Sequence, residues 1–160
     1  MNIFLLCYVF LVCVWLCLVP SVQAAGRIAV IAARGSAPET LSIDELERVY
    51  LRKKRFWADG TRVVPVNLPA THPLRLAFSR LVLGSLPEAQ ERYWNEQYFH
   101  GVFPPYVLDS EEAVIQFVLS TPGAIGYVDE SAVTTQVQVL LYVSRPHAAN
   151  SDKAVSRTKE

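Results

Sequence analysis

Short apolar runs alternate with segments that carry helix start signals, and this alternation constrains the possible folds most strongly. The run "RIAVIAA" at 27–33 is almost continuously apolar, which is typical of a buried strand. The following segment, "LSIDELERVYL", has Ser42 as an N-cap and Glu45 three residues later, the pattern of a capping box. Its apolar stripe predicts four buried side chains: Ile43, Leu46, Val49 and Tyr50.

The remaining segments continue the same alternation. A strand is expected at 62–66, a helix over 73–83 with Leu74, Ala77, Phe78 and Leu81 on one face, and a helix in "EAQERYWNEQYF". Either Asp109 or Ser110 caps the helix "EEAVIQFVL", with Glu112 completing a capping box from Asp109. "TPGAIGYV" predicts a turn and a strand, and 137–143 another strand. Strands alternating with helices predict an α/β domain with helices on both faces of a mixed sheet.

The first 24 residues have the pattern of a secretory signal peptide. An apolar run from 3 to 19 ends at Pro20, and Val22-Gln23-Ala24 supplies small residues for cleavage. An uncleaved membrane anchor is the alternative, because no Lys or Arg precedes the run. We therefore expect a periplasmic or secreted protein with one α/β domain at 26–143 and a disordered tail at 144–160.

Charge and cysteine content exclude several functions. All three cysteines lie in the first 24 residues, so the mature domain would have neither a disulfide nor a thiolate metal site. The formal net charge is zero, which argues against nucleic-acid binding. No motif of a metalloprotease, hydrolase or nucleotide-binding loop is present. We expect no enzyme activity, no metal and no cofactor.

One loop is a candidate anion site. "NLPATHP" at 67–73 precedes a helix, and helix N-termini attract anions through free amides and the helix dipole. The candidate ligands are the Thr71 hydroxyl, the free amides of Leu74 and Arg75, and the Arg75 guanidinium, with His72 as a further possibility. The alternative is a capped turn with Arg75 on the solvated face. Ser36, which follows the first strand, is the second candidate position.

Two further patterns have a structural and a functional interpretation. The basic run "RKKR" at 52–55 either complements a helix dipole or contacts an acidic partner. Five aromatic side chains are expected in the core rather than on a binding surface: Trp57, Tyr93, Trp94, Tyr98 and Phe99.

The stretch "STPGAIGYV" at 120–128 resembles a signature of periplasmic phosphate-binding proteins, the solute receptors of phosphate ABC transporters. Three earlier segments, "FWADGTRVVPV", "LRLAFSRLVLG" and "YWNEQYFHGVFPP", are similar to that family in the same order. The resemblance implies a single lobe of a type II periplasmic-binding-protein fold, weak binding of phosphate or another oxyanion, and an ABC transporter as partner.

The chain departs from the family in two ways. It resembles one lobe where the receptors have two, and "NLPATHP" replaces a loop of the type Asp-Gly-Ser-Gly-Thr-Ser, so the family's ligand residues do not carry over. The alternative function is a periplasmic interaction module that kept the fold, binds no ligand, and docks to another periplasmic or membrane protein.

Overall fold

A computed structural model describes residues 26–145; the predicted signal peptide and the chain beyond Arg145 lie outside the described residues. The strands are β1 (Arg27–Ala33), β2 (Val64–Asn67), β3 (Tyr106–Val107), β4 (Ala124–Asp129) and β5 (Val137–Ser144). The helices are α1 (Ile43–Tyr50), α2 (Pro73–Val82), α3 (Glu91–Phe99) and α4 (Glu111–Ser120), with short 3₁₀ turns at Pro87–Gln90 and Glu130–Ala132.

The five strands form one mixed sheet in the order β3-β2-β4-β1-β5. β2 runs parallel to β3 and β4, whereas β1 is antiparallel to both β4 and β5. The predicted α/β class with a mixed sheet is therefore confirmed. Because of these directions, β2 and β4 end at one edge of the sheet, and β1 ends at the opposite edge.

Helices cover both faces of the sheet. Successive strand residues point to opposite faces, and on β4 an added Cβ at Gly126 would meet Val114 of α4. On the other face, Tyr127 stacks against Phe78 of α2, with ring centroids 4.0 Å apart and nearly parallel planes. The two neighbouring residues of β4 therefore join the sheet to different helical layers.

The capping box and most of the buried stripe of α1 were predicted correctly from the sequence. The Ser42 hydroxyl accepts a hydrogen bond from the Glu45 amide at 3.3 Å, and the Glu45 carboxylate accepts one from the Ser42 amide at 3.4 Å, which completes the capping box. Leu46, Val49 and Tyr50 are buried, but the prediction for Ile43 was wrong, since 45% of it is exposed. Ile43 is the first residue of α1 and lies at the margin of the core.

Several boundaries and one cap differ from the predictions. β2 begins two residues later than expected, and Ser144, assigned to the tail, is the last residue of β5. Ser110 caps α4 by accepting a hydrogen bond from the Ala113 amide at 3.1 Å. Asp109 does not cap α4, because the helix begins at Glu111 and Ser110 is the residue directly before it.

The expected aromatic core was only partly right. Trp57 is buried, and Tyr93 and Trp94 are half-buried, whereas Tyr98 and Phe99 are exposed by 60% and 86%. None of the residues of α3 is buried. Within residues 26–145, no helix has the length and apolar character needed to cross a membrane.

Candidate functional site

His72, not Thr71, is the N-cap of α2, at the end of the loop that follows β2. The His72 amide donates to the Pro69 carbonyl at 2.9 Å, and the His72 Nδ1 accepts from the Leu74 amide at 3.2 Å. Of the two amides predicted to be free, that of Leu74 is therefore occupied. Thr71 itself is exposed in the turn before the helix.

Arg75 is a buried residue, which contradicts the alternative interpretation that placed it on the solvated face of the helix. Only 7% of its surface is exposed. Its Nη1 donates a hydrogen bond to Oδ1 of Asn67, the last residue of β2. The guanidinium therefore lies at the edge of the sheet where β2 ends, directly beside the start of α2.

Tyr127 completes a polar cluster around Asn67. Its hydroxyl donates to Asn67 Oδ1 at 3.3 Å and accepts from the Leu68 amide at 3.4 Å. Asn67 Oδ1 thus accepts hydrogen bonds from both Arg75 and Tyr127. This one oxygen therefore connects three elements: the end of β2, the first turn of α2 and the middle of β4.

Aromatic rings form the inner wall of this cluster. The rings of Tyr50, Phe78 and Tyr127 contact one another in a triangle. The centroid of Phe78 lies 4.6 Å from that of Tyr50 and 4.0 Å from that of Tyr127, and the two tyrosine centroids are 5.9 Å apart. Burial raises the pKa of Tyr127 to about 12, and nearby Arg75 opposes this shift. Burial likewise raises the pKa of Tyr50. Both phenols are therefore neutral at physiological pH, and the only charge of the cluster is that of Arg75.

No carboxylate neutralises Arg75 within residues 26–145. The ion pairs of this part of the chain join Arg27 to Glu130, Lys54 to Glu45 and Arg145 to Asp129. Burial lowers the pKa of Arg75, and only the two tyrosines, not an acidic residue, oppose this. Arginine remains charged even so. The site therefore contains an unneutralised buried cation.

Two guanidinium nitrogens of Arg75 are candidate donors to a ligand. Nη1 bonds to Asn67, while Nε and Nη2 have no hydrogen-bond partner among the described residues. The fully buried, unpartnered side-chain atoms of residues 26–145 are Arg52 Nε, Ser79 Oγ and Gln90 Oε1. Neither nitrogen of Arg75 is among these atoms.

Ser36 lies far from these residues. It follows β1, which is antiparallel to β4 and so ends where β2 and β4 begin. Its hydroxyl donates to the Ala33 carbonyl at 2.9 Å, an interaction within its own turn. The structure therefore brings together Thr71, Leu74 and Arg75 but places Ser36 at the opposite edge of the sheet.

Asn67, Tyr127 and Tyr50 were not predicted as members of the site. Asn67 could have been predicted, because it directly follows an apolar run at the carboxyl end of a strand, where α/β sheets often bind ligands. The contribution of Tyr127 comes from pairing between distant segments, which the sequence pattern does not reveal. In the described part of the chain, no cluster of His, Cys, Asp and Glu has the composition of a metal site.

Replacing Tyr127 with Phe tests how far the cluster stabilises the fold. The substitution removes the hydroxyl bonded to Asn67 and leaves the buried Leu68 amide without its acceptor. We expect a loss of about 1–3 kcal/mol in the free energy of unfolding, measured by urea denaturation. Tyr142→Phe is the matched control, because Tyr142 is 41% exposed. Equal stability of the two variants would contradict a structural role for the Tyr127 hydroxyl.

No protein-family model matches the sequence, and no curated protein matches it either. Solved structures do match the fold. A putative phosphate ABC transporter substrate-binding protein with bound phosphate from Clostridium perfringens aligns with a TM-score of 0.60 and 20% identity, over 72% of this chain and 44% of that one. An ABC-type phosphate transport receptor from Vibrio cholerae aligns with a TM-score of 0.59 and 14% identity, over 81% and 51%.

A third structure, PstS from Borrelia burgdorferi, aligns with a TM-score of 0.52 and 14% identity, over 82% of this chain and 60% of that one. The chain thus has the mixed α/β fold of phosphate ABC transporter substrate-binding proteins. It spans about half the length of the structures it matches. At these identities the similarity is one of fold.

Proposed function

We propose that this protein is an exported, non-catalytic binding protein that holds phosphate or a related oxyanion at the N-terminus of α2. The observation that carries the proposal is the buried Arg75 guanidinium with no carboxylate beside it among the described residues. The anion would contact Nε and Nη2 of Arg75, the Arg75 amide and the Thr71 hydroxyl. An ABC transporter is the corresponding partner.

The cost of burying a cation supports this proposal. A charge removed from water without a partner is unfavourable, and a bound anion would offset much of that cost. The guanidinium is also well shaped for two parallel hydrogen bonds to an oxyanion. The dipole of α2 adds a favourable contribution at the same place. The charge and shape of the guanidinium and the dipole of α2 would therefore all stabilise the same bound anion.

The solved structures with this fold support the same ligand class, since they include phosphate receptors and one protein with phosphate bound.

The amide of Leu74 is not part of the proposed site, because His72 already accepts its hydrogen bond. With few donors on one surface, we expect weak binding, with a dissociation constant of about 1 mM.

Thermal unfolding in increasing phosphate tests the proposal. At a phosphate concentration about tenfold above the dissociation constant, binding stabilises the folded state by about 1.4 kcal/mol. We expect the melting temperature to rise by about 5 °C. Arg75→Met removes the guanidinium but keeps a long apolar stem, and it should abolish this rise. Calorimetric titration with phosphate and sulfate gives the affinity directly.

The control is Arg80→Met, in the last turn of the same helix, where the side chain is exposed. It should keep the full response to phosphate. A response that survives in Arg75→Met would place the anion elsewhere, and loss of the response in Ser36→Ala would then identify the second candidate position. An unchanged melting temperature of the parent protein in phosphate would reject the anion site.

An interaction module is the second candidate function. It is favoured by the exposed aromatic side chains of α3 and the segment after it, Tyr98, Phe99 and Phe103. Apolar groups of this size on a surface are typical of protein contacts. In this case the protein would bind a periplasmic or membrane protein and show no heat of binding with any oxyanion.

A further inference from the structure

A cleft of about 570 Å³ lies at the end of the sheet where β2 and β3 begin, opposite to Asn67. Three arginines, Arg52, Arg55 and Arg62, line it together with a mainly apolar segment that includes Pro105 and Tyr106. We call this the basic cleft. It includes Arg52 and Arg55, the first and last residues of the run "RKKR", which the proposed anion site does not use.

A short hairpin over residues 55–63 positions these arginines. The Val63 amide donates to the Arg55 carbonyl at 2.9 Å, and Phe56 pairs with Arg62 in an antiparallel bridge. Arg52 precedes the hairpin with a φ of 60°, and its Nη1 donates to the Val63 carbonyl at 3.2 Å. Backbone pairing therefore holds all three residues against the same cleft.

The positive charge of the basic cleft is not neutralised within the described chain. None of the ion pairs of residues 26–145 includes Arg52, Arg55 or Arg62. Burial, together with repulsion from Arg62 and Arg55, lowers the pKa of Arg52. The Nε of Arg52 is buried and has no hydrogen-bond partner among these residues. These arginines repel one another in a protein whose formal net charge is zero.

The remaining residues that line the cleft are mainly apolar and continue into an exposed aromatic surface. Phe103 and Tyr106 are 60% and 66% exposed, and the ring of Tyr98 meets that of Phe103 edge-on, with centroids 5.5 Å apart. β3, which contains Tyr106, is an edge strand that pairs only with β2 in the described part of the chain. Such an edge can accept an extended segment through backbone hydrogen bonds.

We propose that the basic cleft docks an extended acidic segment of a partner protein, with its carboxylates on Arg52, Arg55 and Arg62 and an apolar side chain against Phe103 and Tyr106. Charge complementarity selects this occupant. The chain's own tail does not suit the cleft, since Lys153, Arg157 and Lys159 outnumber its two acidic residues. The aromatic surface extends beyond the cleft, which favours a polypeptide over a small anion.

Fluorescence anisotropy with a labelled peptide of alternating glutamates and leucines tests the proposal on the full mature chain. We expect saturable binding that weakens as salt is raised, because screening acts on exposed charges. Arg55→Glu and Arg62→Glu should each weaken binding about tenfold or more, by replacing attraction with repulsion. Arg80→Glu makes the same charge change outside the cleft and should leave the affinity within about twofold.

Two further probes separate this occupant from others. A peptide of alternating glutamates and serines should bind more weakly, since it lacks apolar side chains for Phe103 and Tyr106. A single-stranded oligonucleotide of equal charge should bind no better than that peptide. The proposal would be overturned if the oligonucleotide bound more tightly than the glutamate-serine peptide, or if the glutamate-leucine peptide did not bind. It would also be overturned if Arg80→Glu weakened peptide binding as much as Arg55→Glu and Arg62→Glu do.

The proposal is independent of the phosphate site. Arg62→Glu should keep the rise in melting temperature with phosphate, and Arg75→Met should keep peptide binding. Loss of both activities in either single variant, with the fold intact by circular dichroism, would show that the two surfaces are not separate and would overturn the assignment of the cleft.

Discussion

Gly126→Val is expected to destabilise the fold by about 3 kcal/mol or more. Even a single Cβ at this position would lie 2.4 Å from Val114 Cγ1 of α4 and 3.0 Å from Val66 Cγ2 of β2. A valine adds two methyl groups to that contact. The helix would have to move away from the sheet at the centre of the core, where Val66, Val114 and Val118 are all buried.

A double-mutant cycle isolates this close approach. Gly126→Ala alone should cost about 1–2 kcal/mol, because the nearest atom is the end of a side chain. Val114→Ala removes that atom, so Gly126→Ala should cost clearly less in the Val114→Ala background. Urea denaturation gives the four free energies. Additive costs would contradict the claim that Gly126 is required by contact with α4.

Local signals in the sequence predicted the elements and their class. The capping box at Ser42 and Glu45 involves residues three apart, so both partners are visible in one short stretch. "PGAIGYV" likewise predicts both the turn and the close approach at Gly126, since a glycine inside an apolar strand often marks a place where a neighbouring element packs tightly. Predictions of this kind depend on the residues of one short segment.

The candidate site depends on contacts between distant segments and was only partly predictable. Thr71, Leu74 and Arg75 follow from the position of a helix start, but the burial of Arg75 depends on Asn67 and Tyr127. Those two residues are 60 positions apart. Arg75 does not belong to the apolar stripe of α2. The helical pattern alone therefore favoured a position for Arg75 on the solvated face of the helix.

The exposure of α3 was missed for a related reason. Aromatic content predicts burial on average, yet none of the residues of α3 is buried. Tyr93 is tied to the fold by its hydroxyl, which donates to the Leu51 carbonyl at 2.7 Å. Tyr98 and Phe99, later in the helix, have no covering layer within residues 26–145. Composition alone does not distinguish the two cases.

Gly123→Ala is expected to cost about 3–5 kcal/mol, the second large effect. Gly123 has a φ of 75°, which is strained for alanine, and an added Cβ would lie 2.2 Å from the Arg62 carbonyl oxygen. That oxygen belongs to the backbone of the hairpin 55–63, so it cannot turn aside as a side chain would. Relief requires the hairpin to separate from β4.

Such a separation would break two hydrogen bonds to the Gly123 carbonyl. The Val64 amide donates to it at 3.0 Å, and the Trp57 indole Nε1 at 3.3 Å. Trp57 is buried, so its fluorescence should shift to longer wavelength when the hairpin moves. Peptide binding in the basic cleft should weaken in parallel, because the same hairpin carries Arg55 and Arg62.

Gly84→Ala is the matched control for this substitution. Gly84 also has a positive φ, 65°, but nothing lies within 4 Å of an added Cβ. It should therefore show only the backbone strain, about 1–2 kcal/mol. The difference between the two variants in urea denaturation measures the contact with the Arg62 carbonyl. If Gly123→Ala cost no more than Gly84→Ala and left Trp57 fluorescence unchanged, the hairpin would not depend on close packing against the turn before β4.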